Sequence, residues 1–166
     1  IAAPINASSD ALKMFALSKY TWIKRHQRKF EKQERLPSRE YVNRESHYFK
    51  GKRYLLNVVE CKSNPKIVIK NNSTIELQIR KDIPRNKRNE IFDNWYREEL
   101  KIQIPKFLKK WQGIMNVQIN DCRIKKMKTK WGSCNIKEKR IWINLELAKK
   151  PEICLEYIIV HEMIHL

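Results

Sequence analysis

The spacing of apolar residues changes along the chain, and the change divides it into helical and extended stretches. From Ser8 onward Leu12, Phe15, Ala16, Ile23 and Phe30 recur at the spacing of one helix face, with Ser8, Ser9 or Asp10 as the cap. This pattern predicts one long helix that ends before Pro37. Residues 46–80 behave differently. Tyr48 and Phe49 precede a Lys50-Gly51 turn and an extended run over 54–59, and the alternating stretches 66–70 and 74–80 are joined at Asn71-Asn72, which reads as a hairpin turn. About three or four antiparallel strands are expected here.

A second long helix over 85–111 is predicted from Ile91, Trp95, Leu100, Phe107 and Leu108, with Pro84 just ahead of it. Pro105 should kink or split that helix, because its ring displaces a backbone hydrogen bond. Short strands follow at 115–119, 123–127, 130–134 and 140–144; the last alternates Ile141 and Ile143 with Arg140 and Trp142, as a half-buried strand does. Pro151 opens a final helix at its first turn, Glu152 suits the positive end of the helix dipole, and the helix is expected to run to the last residue. The fold class is α+β. At 166 residues the chain reads as one domain with a helical part at 1–45, a β-hairpin part at 46–80 and a helix-plus-strand part at 85–166.

Charge changes this picture more than hydropathy does. The chain carries 36 Lys and Arg against 18 Asp and Glu, a formal charge of +18. Residues 123–130 hold Arg123, Lys125, Lys126, Lys128 and Lys130 without an acid, and 24–35 and 80–88 are basic as well. Such a surface attracts nucleic acid or another polyanion; the bland alternative is a solvated, Lys-rich face. Strand alternation through this run would send Lys126, Lys128 and Lys130 to one side together. Cys61, Cys122, Cys134 and Cys154 lie far apart with no CxxC pair, which disfavours a zinc ribbon or a disulfide scaffold and suggests free thiols in a reducing, cytoplasmic setting. No apolar run is longer than Tyr157–Val160, far short of the ~20 residues a membrane span needs. The first residue is Ile1, the stretch 1–6 lacks the features of a secretory signal, and both ends read as cut.

The chemistry-bearing motif is His161-Glu162-Met163-Ile164-His165, HExxH, on the final predicted helix. Residues four apart stack on one helix face, so both imidazoles can address one ion while the glutamate between them stands beside a water on it. Zinc lowers the pKa of such a water from 15.7 toward ~7 and polarises a carbonyl, and the glutamate moves the proton. The surrounding Ile158, Ile159, Ile164 and Leu166 make the helix largely apolar, so two imidazoles buried there without a partner would be costly. His161 and His165 are therefore the candidate zinc ligands and Glu162 the candidate general base.

Upstream stand Lys130-Trp131-Gly132-Ser133-Cys134, then Ile141-Trp142-Ile143-Asn144, then Leu147, Pro151 and Tyr157 before the HExxH. Together these resemble the YgjP-like metallopeptidases, relatives of the SprT-like and WLM proteases among the gluzincin-type zincins. The resemblance is specific over 123–166 and looser upstream, at Trp22-Ile23, at 41–54 and at Trp95-Tyr96. It implies a zincin-like fold with antiparallel β-hairpins packed on the HExxH helix, zinc on His161 and His165, Glu162 as general base and acid, and a strand edge that holds an extended peptide. Trp131 is read either as a sheet-packing aromatic or as a substrate wall, and Asn144 either as the cap of a short turn at 145–149 or as a contact to the substrate backbone. Gly132 suits a bulge or a close helix contact, and Cys134 and Cys154 read as small buried residues.

Relatives supply a third zinc ligand, usually a histidine, some residues after the second, and the sequence given stops at Leu166. His26 and His47 are the other histidines; recruiting His47 is one option, a strand-packing histidine the plainer one. The expected function is a zinc-dependent metallopeptidase acting on a peptide or protein substrate. The alternative is a nucleic-acid-associated module, or a DNA-dependent protease, whose basic surface (Lys126, Lys128 and Lys130 its candidate contacts) dominates a vestigial metal site.

Overall fold

The computed structural model describes residues 8–31 and 39–166. They fall into two units, Ile1–Ser38 and Arg39–Leu166.

In the first unit the expected single helix is two, α1 (Ser9–Ser18) and α2 (Tyr20–Glu31). Ser8 caps α1, its hydroxyl accepting from the Ala11 N–H at 3.2 Å. At the other end Ser18 donates its hydroxyl to the Phe15 carbonyl at 2.7 Å, and this competition for a helical acceptor accompanies the break at Lys19. The stripe expected to be core is not: Phe15 and Ile23 are exposed and Leu12 and Ala16 only half-buried. The side chain of Phe30 and the helix end expected before Pro37 lie outside the described residues.

In the second unit β1 (Ser46–Phe49), β2 (Lys52–Glu60), β3 (Lys66–Asn71) and β4 (Thr74–Ile79) form one sheet in the order β1-β2-β4-β3. It is mixed, not antiparallel throughout: β2 pairs with β4 in parallel, Leu56 opposite Ile75 and Val58 opposite Leu77. Burial explains the order. Ile75, Glu76, Leu77 and Ile79 of β4 are all buried, which demands neighbours on both edges, whereas β3 buries only Ile67 and takes the margin.

Helix α3 (Arg85–Met115) lays Phe92, Tyr96, Leu100 and Ile104 into the core. Pro105 does not end it. Proline sits on the solvent side, and so does Lys101, whose carbonyl loses its usual donor and can turn to water. The helix therefore absorbs Met115, stops at Asn116 in the left-handed conformation, and leaves no strand at 115–119.

The second sheet holds β5 (Asp121–Lys125), β6 (Gly132–Asn135) and β7 (Arg140–Asn144) in the order β5-β7-β6. Only β6 and β7 make an antiparallel hairpin; β5 runs parallel to β7. Ile141 and Ile143 are fully buried as the alternation requires. A one-turn 3-10 helix, Leu145–Lys149, leads into α4 (Glu152–Met163), which stops short of the last residues instead of running through them. The Lys50-Gly51 turn docks on this junction. Its two N–H groups donate to the carbonyls of Ala148 and Lys149 at 2.9 and 3.2 Å, and Gly51, at φ +79°, leaves no room for a Cβ beside Pro151. Among the described residues no helix is long and apolar enough to cross a membrane.

Candidate metal centre

Helix α4 is fixed from three sides. Leu155, Ile159 and Met163 anchor its inner face in the core. On its flank the Glu156 carboxylate accepts hydrogen bonds from Lys110 Nζ at 2.7 Å and Trp111 Nε1 at 2.8 Å, which hold its pKa below the usual carboxylate value. Toward the second sheet, Glu162 lies so close to Gly132 that a Cβ there would sit 2.4 Å from Glu162 Oε1. The glycine of the WGSC motif is thus required by the carboxylate it faces. Glu156 as an anchor was not legible in the sequence, because its partners come from α3.

The two histidines share the opposite exposure. His161 lies in the last turn of α4 and His165 follows in the turn beyond Met163; both reach solvent, their ring centroids 5.2 Å apart and nearly perpendicular. An ion bound tetrahedrally at ~2.0–2.1 Å from one nitrogen of each ring would set the two centroids about 5 Å apart, so the spacing suits a shared metal. One turn earlier Tyr157 lies parallel to His161 at 6.2 Å. Glu162, between them in sequence, is buried. Burial raises its pKa above the usual value, opposed by the nearby charges of His161, His165 and Lys130. The arrangement presents two accessible imidazoles and, between them in sequence, a buried carboxylate.

A third donor is not among the described residues, where no group of three His, Cys, Asp or Glu side chains is placed to hold an ion. His47 does not join the pair: it is enclosed in the first sheet's core, stacked 4.6 Å from Phe92 and 5.4 Å from Tyr41. His26 belongs to the other unit, beside Trp22.

Asn144 takes the capping alternative. Its Oδ1 accepts from the Glu146 N–H at 3.2 Å, while its Nδ2 donates to the carbonyls of Met127 and Lys130 at 3.0 and 2.7 Å. Buried and fully engaged, it is not free for a substrate; it holds the segment that leads into Trp131 and Gly132. Trp131 is not a packed core aromatic, for nearly half of it is exposed, and it forms one wall of a groove with Leu147, Ile153, Tyr157 and Ile158. Cys134 and Cys154 are half-buried, not buried. Ile153 was missed in the sequence and Tyr157 was singled out only as part of the motif, not as a groove wall, although both precede His161 at helical spacing, by eight and four residues.

The basic run does not form one strand face. β5 ends at Lys125, so alternation cannot align Lys126, Lys128 and Lys130. Lys126 bonds Asp93 at 2.9 Å, and Arg123 bonds Asp121 at 2.6 Å.

Compared with known families, the chain is matched over residues 1–166 by the model described as YgjP-like, metallopeptidase domain. Comparison with curated proteins and with solved structures gave no match.

Proposed function

The chain belongs to the YgjP-like metallopeptidase family, and from that premise we propose that it is a zinc-dependent peptidase in which His161 and His165 hold the metal and Glu162 moves the proton. The observation that carries this is a glutamate buried against Gly132 on the same helix end as two exposed imidazoles whose spacing suits a shared metal. Zinc, when bound, supplies Lewis acidity that polarises a peptide carbonyl and acidifies water. Glu162 accepts a proton from the attacking water at its carboxylate and delivers it to the leaving amine nitrogen as the C–N bond breaks. Desolvation favours that role, because a carboxylate with a raised proton affinity takes a proton more readily near neutral pH. Strand β6 lies at a sheet edge beside α4, and its unpaired outer backbone groups suit an extended peptide whatever its sequence.

The test is Glu162→Gln. The variant should keep its zinc, measured by elemental analysis, and lose turnover of peptide substrates by ~10²–10⁴-fold. Equal turnover in the variant and the parent protein overturns the role of Glu162.

A further inference from the structure

We propose that the groove between Trp131 and the outer face of α4 is the subsite that receives a large apolar side chain of the peptide substrate, a reading that rests on the peptidase function above. The groove encloses about 560 Å³. Its floor is Leu147 and Ile158, and its walls are Trp131 on one side and Ile153 and Tyr157 on the other. Ile153 and Tyr157 are 72 % and 66 % exposed, so one wall of the groove puts two large apolar side chains together in solvent. Lys150, the one charged residue in its lining, does not make the groove polar: its ammonium sits 5.7 Å over the Trp131 ring.

The occupant follows from continuity with the metal face. Ile153, Tyr157, His161 and His165 succeed one another at four-residue intervals, and the Tyr157 ring lies parallel to that of His161. The other wall is continuous with the site as well, since Trp131 directly precedes the glycine on which Glu162 rests. At 1.5 Å per helical residue, Tyr157 and Ile153 stand roughly 6 and 12 Å along the axis from His161. An extended peptide advances about 3.3 Å per residue, so the side chain that enters the groove is roughly two to four residues from the scissile bond. The lining is mainly apolar, with Trp131, Tyr157 and Cys154 each adding one polar atom to an apolar body and Lys150 a charged rim, so phenylalanine or leucine is preferred over serine or alanine.

The experiment uses peptides identical except for Phe or Ala at one position, stepped from two to four residues on either side of the cleaved bond. Their kcat/KM is measured on the parent protein, and their Kd by calorimetry on the zinc-loaded Glu162→Gln protein. At one position Phe should exceed Ala by about tenfold or more in both measures. Ile153→Glu, a change at an exposed position that leaves the core alone, should bring that ratio close to one. A ratio near one in the parent protein overturns the proposal, as does a preference that survives Ile153→Glu. A parent protein that is a dimer, dissociated by Ile153→Glu with the side-chain preference unchanged, would assign the groove to a second copy and also overturn it. Equal turnover by Glu162→Gln would sink the peptidase mechanism alone, because the calorimetric ratios would still decide the groove.

Discussion

Two places in this protein bring a histidine and a glutamate together, and they are built in opposite senses. At β1 the imidazole of His47 is buried, 1 % exposed, while the carboxylate of Glu45 beside it retains 19 % exposure. At the end of α4 the glutamate is the buried member and the histidines face solvent. The 3.7 Å approach of His47 Nε2 to Glu45 Oε1 is not an ion pair. Burial first, and then Arg39 and Lys149, lower the imidazole pKa to about 3, so His47 is neutral in ordinary buffers. The Glu45 Oε2 instead accepts from the N–H groups of Glu40, Tyr41 and Val42, and its Oε1 also faces the Arg39 guanidinium at 3.6 Å. A neutral imidazole is what a metal needs, yet His47 is shut away from solvent, and among the described residues no set of three donors gathers around it. Accessibility, and not residue type, separates the structural pair from the candidate metal-binding one.

The sharpest way to break this comparison is to remove each histidine in turn. His161→Ala and His165→Ala should each abolish stoichiometric zinc, whereas His47→Ala should retain it and cost about 2–4 kcal/mol of stability, the usual penalty for emptying a buried, stacked position. Elemental analysis and denaturant unfolding read the two effects separately. Zinc loss on replacing His47, or zinc retained in both α4 variants, would collapse the distinction.

Gly132→Ala probes the carboxylate side. The new methyl would lie 2.4 Å from Glu162 Oε1 and 2.7 Å from its Cγ, so the glutamate must shift. A displacement of about 1 Å at a catalytic group costs on the order of 10²-fold in rate, and the overpacking itself about 1–3 kcal/mol. Zinc content should hold, since neither histidine is touched. Unchanged kcat would mean that the position of Glu162 is not what Gly132 secures.

The pH dependence of folding sharpens the other half. The unfolded imidazole titrates near 6.5 and His47 in the fold near 3, so between these values the unfolded chain binds the extra proton. Its contribution is therefore fully present above pH ~6.5 and is lost as pH falls toward ~3. His47→Phe should flatten that part of the acid limb in urea unfolding measured from pH 7 to 4. It also removes Nε2, which has no hydrogen-bond partner among the described residues, so a phenylalanine that fits should cost little at pH 7. An acid limb of unchanged slope would show that other groups carry it.

The candidate site was legible where its chemistry is local. HExxH is a spacing on one helix, and the turn at Lys50-Gly51 and the alternation of Ile141 and Ile143 are likewise written in neighbouring residues. Sheet order was not, because β4 enters between β2 and β3 through burial on both faces, which alternation does not encode. The uninterrupted passage through Pro105 depends on which groups can reach water, a property of the folded surface, whereas the break at Lys19 accompanies a local bond from Ser18 to Phe15 that apolar spacing does not encode. Glu156 escaped because its partner Trp111 is 45 residues away, whereas the capping role of Asn144 was readable from the turn that follows it.

The smallest expected effect concerns the basic run, where accessibility again decides what a residue can do. Lys126 already bonds Asp93, and the strand that would align it with Lys128 and Lys130 ends at Lys125. Each phosphate contact on duplex DNA contributes about 0.9 to the slope of log affinity against log salt. With Lys126 engaged, replacing all three lysines by glutamine should change that slope by less than about 2, two contacts at most. Stability should shift by less than about 1 kcal/mol, the ordinary worth of one exposed ion pair. Zinc content should not change, because no lysine lies among the candidate ligands. Titration of the parent and triple variant with duplex DNA between low and moderate salt measures the difference directly. A slope change near 3 would mean that Lys126 leaves Asp93 to act with its neighbours, and that the run works as one polyanion-binding unit despite its irregular backbone.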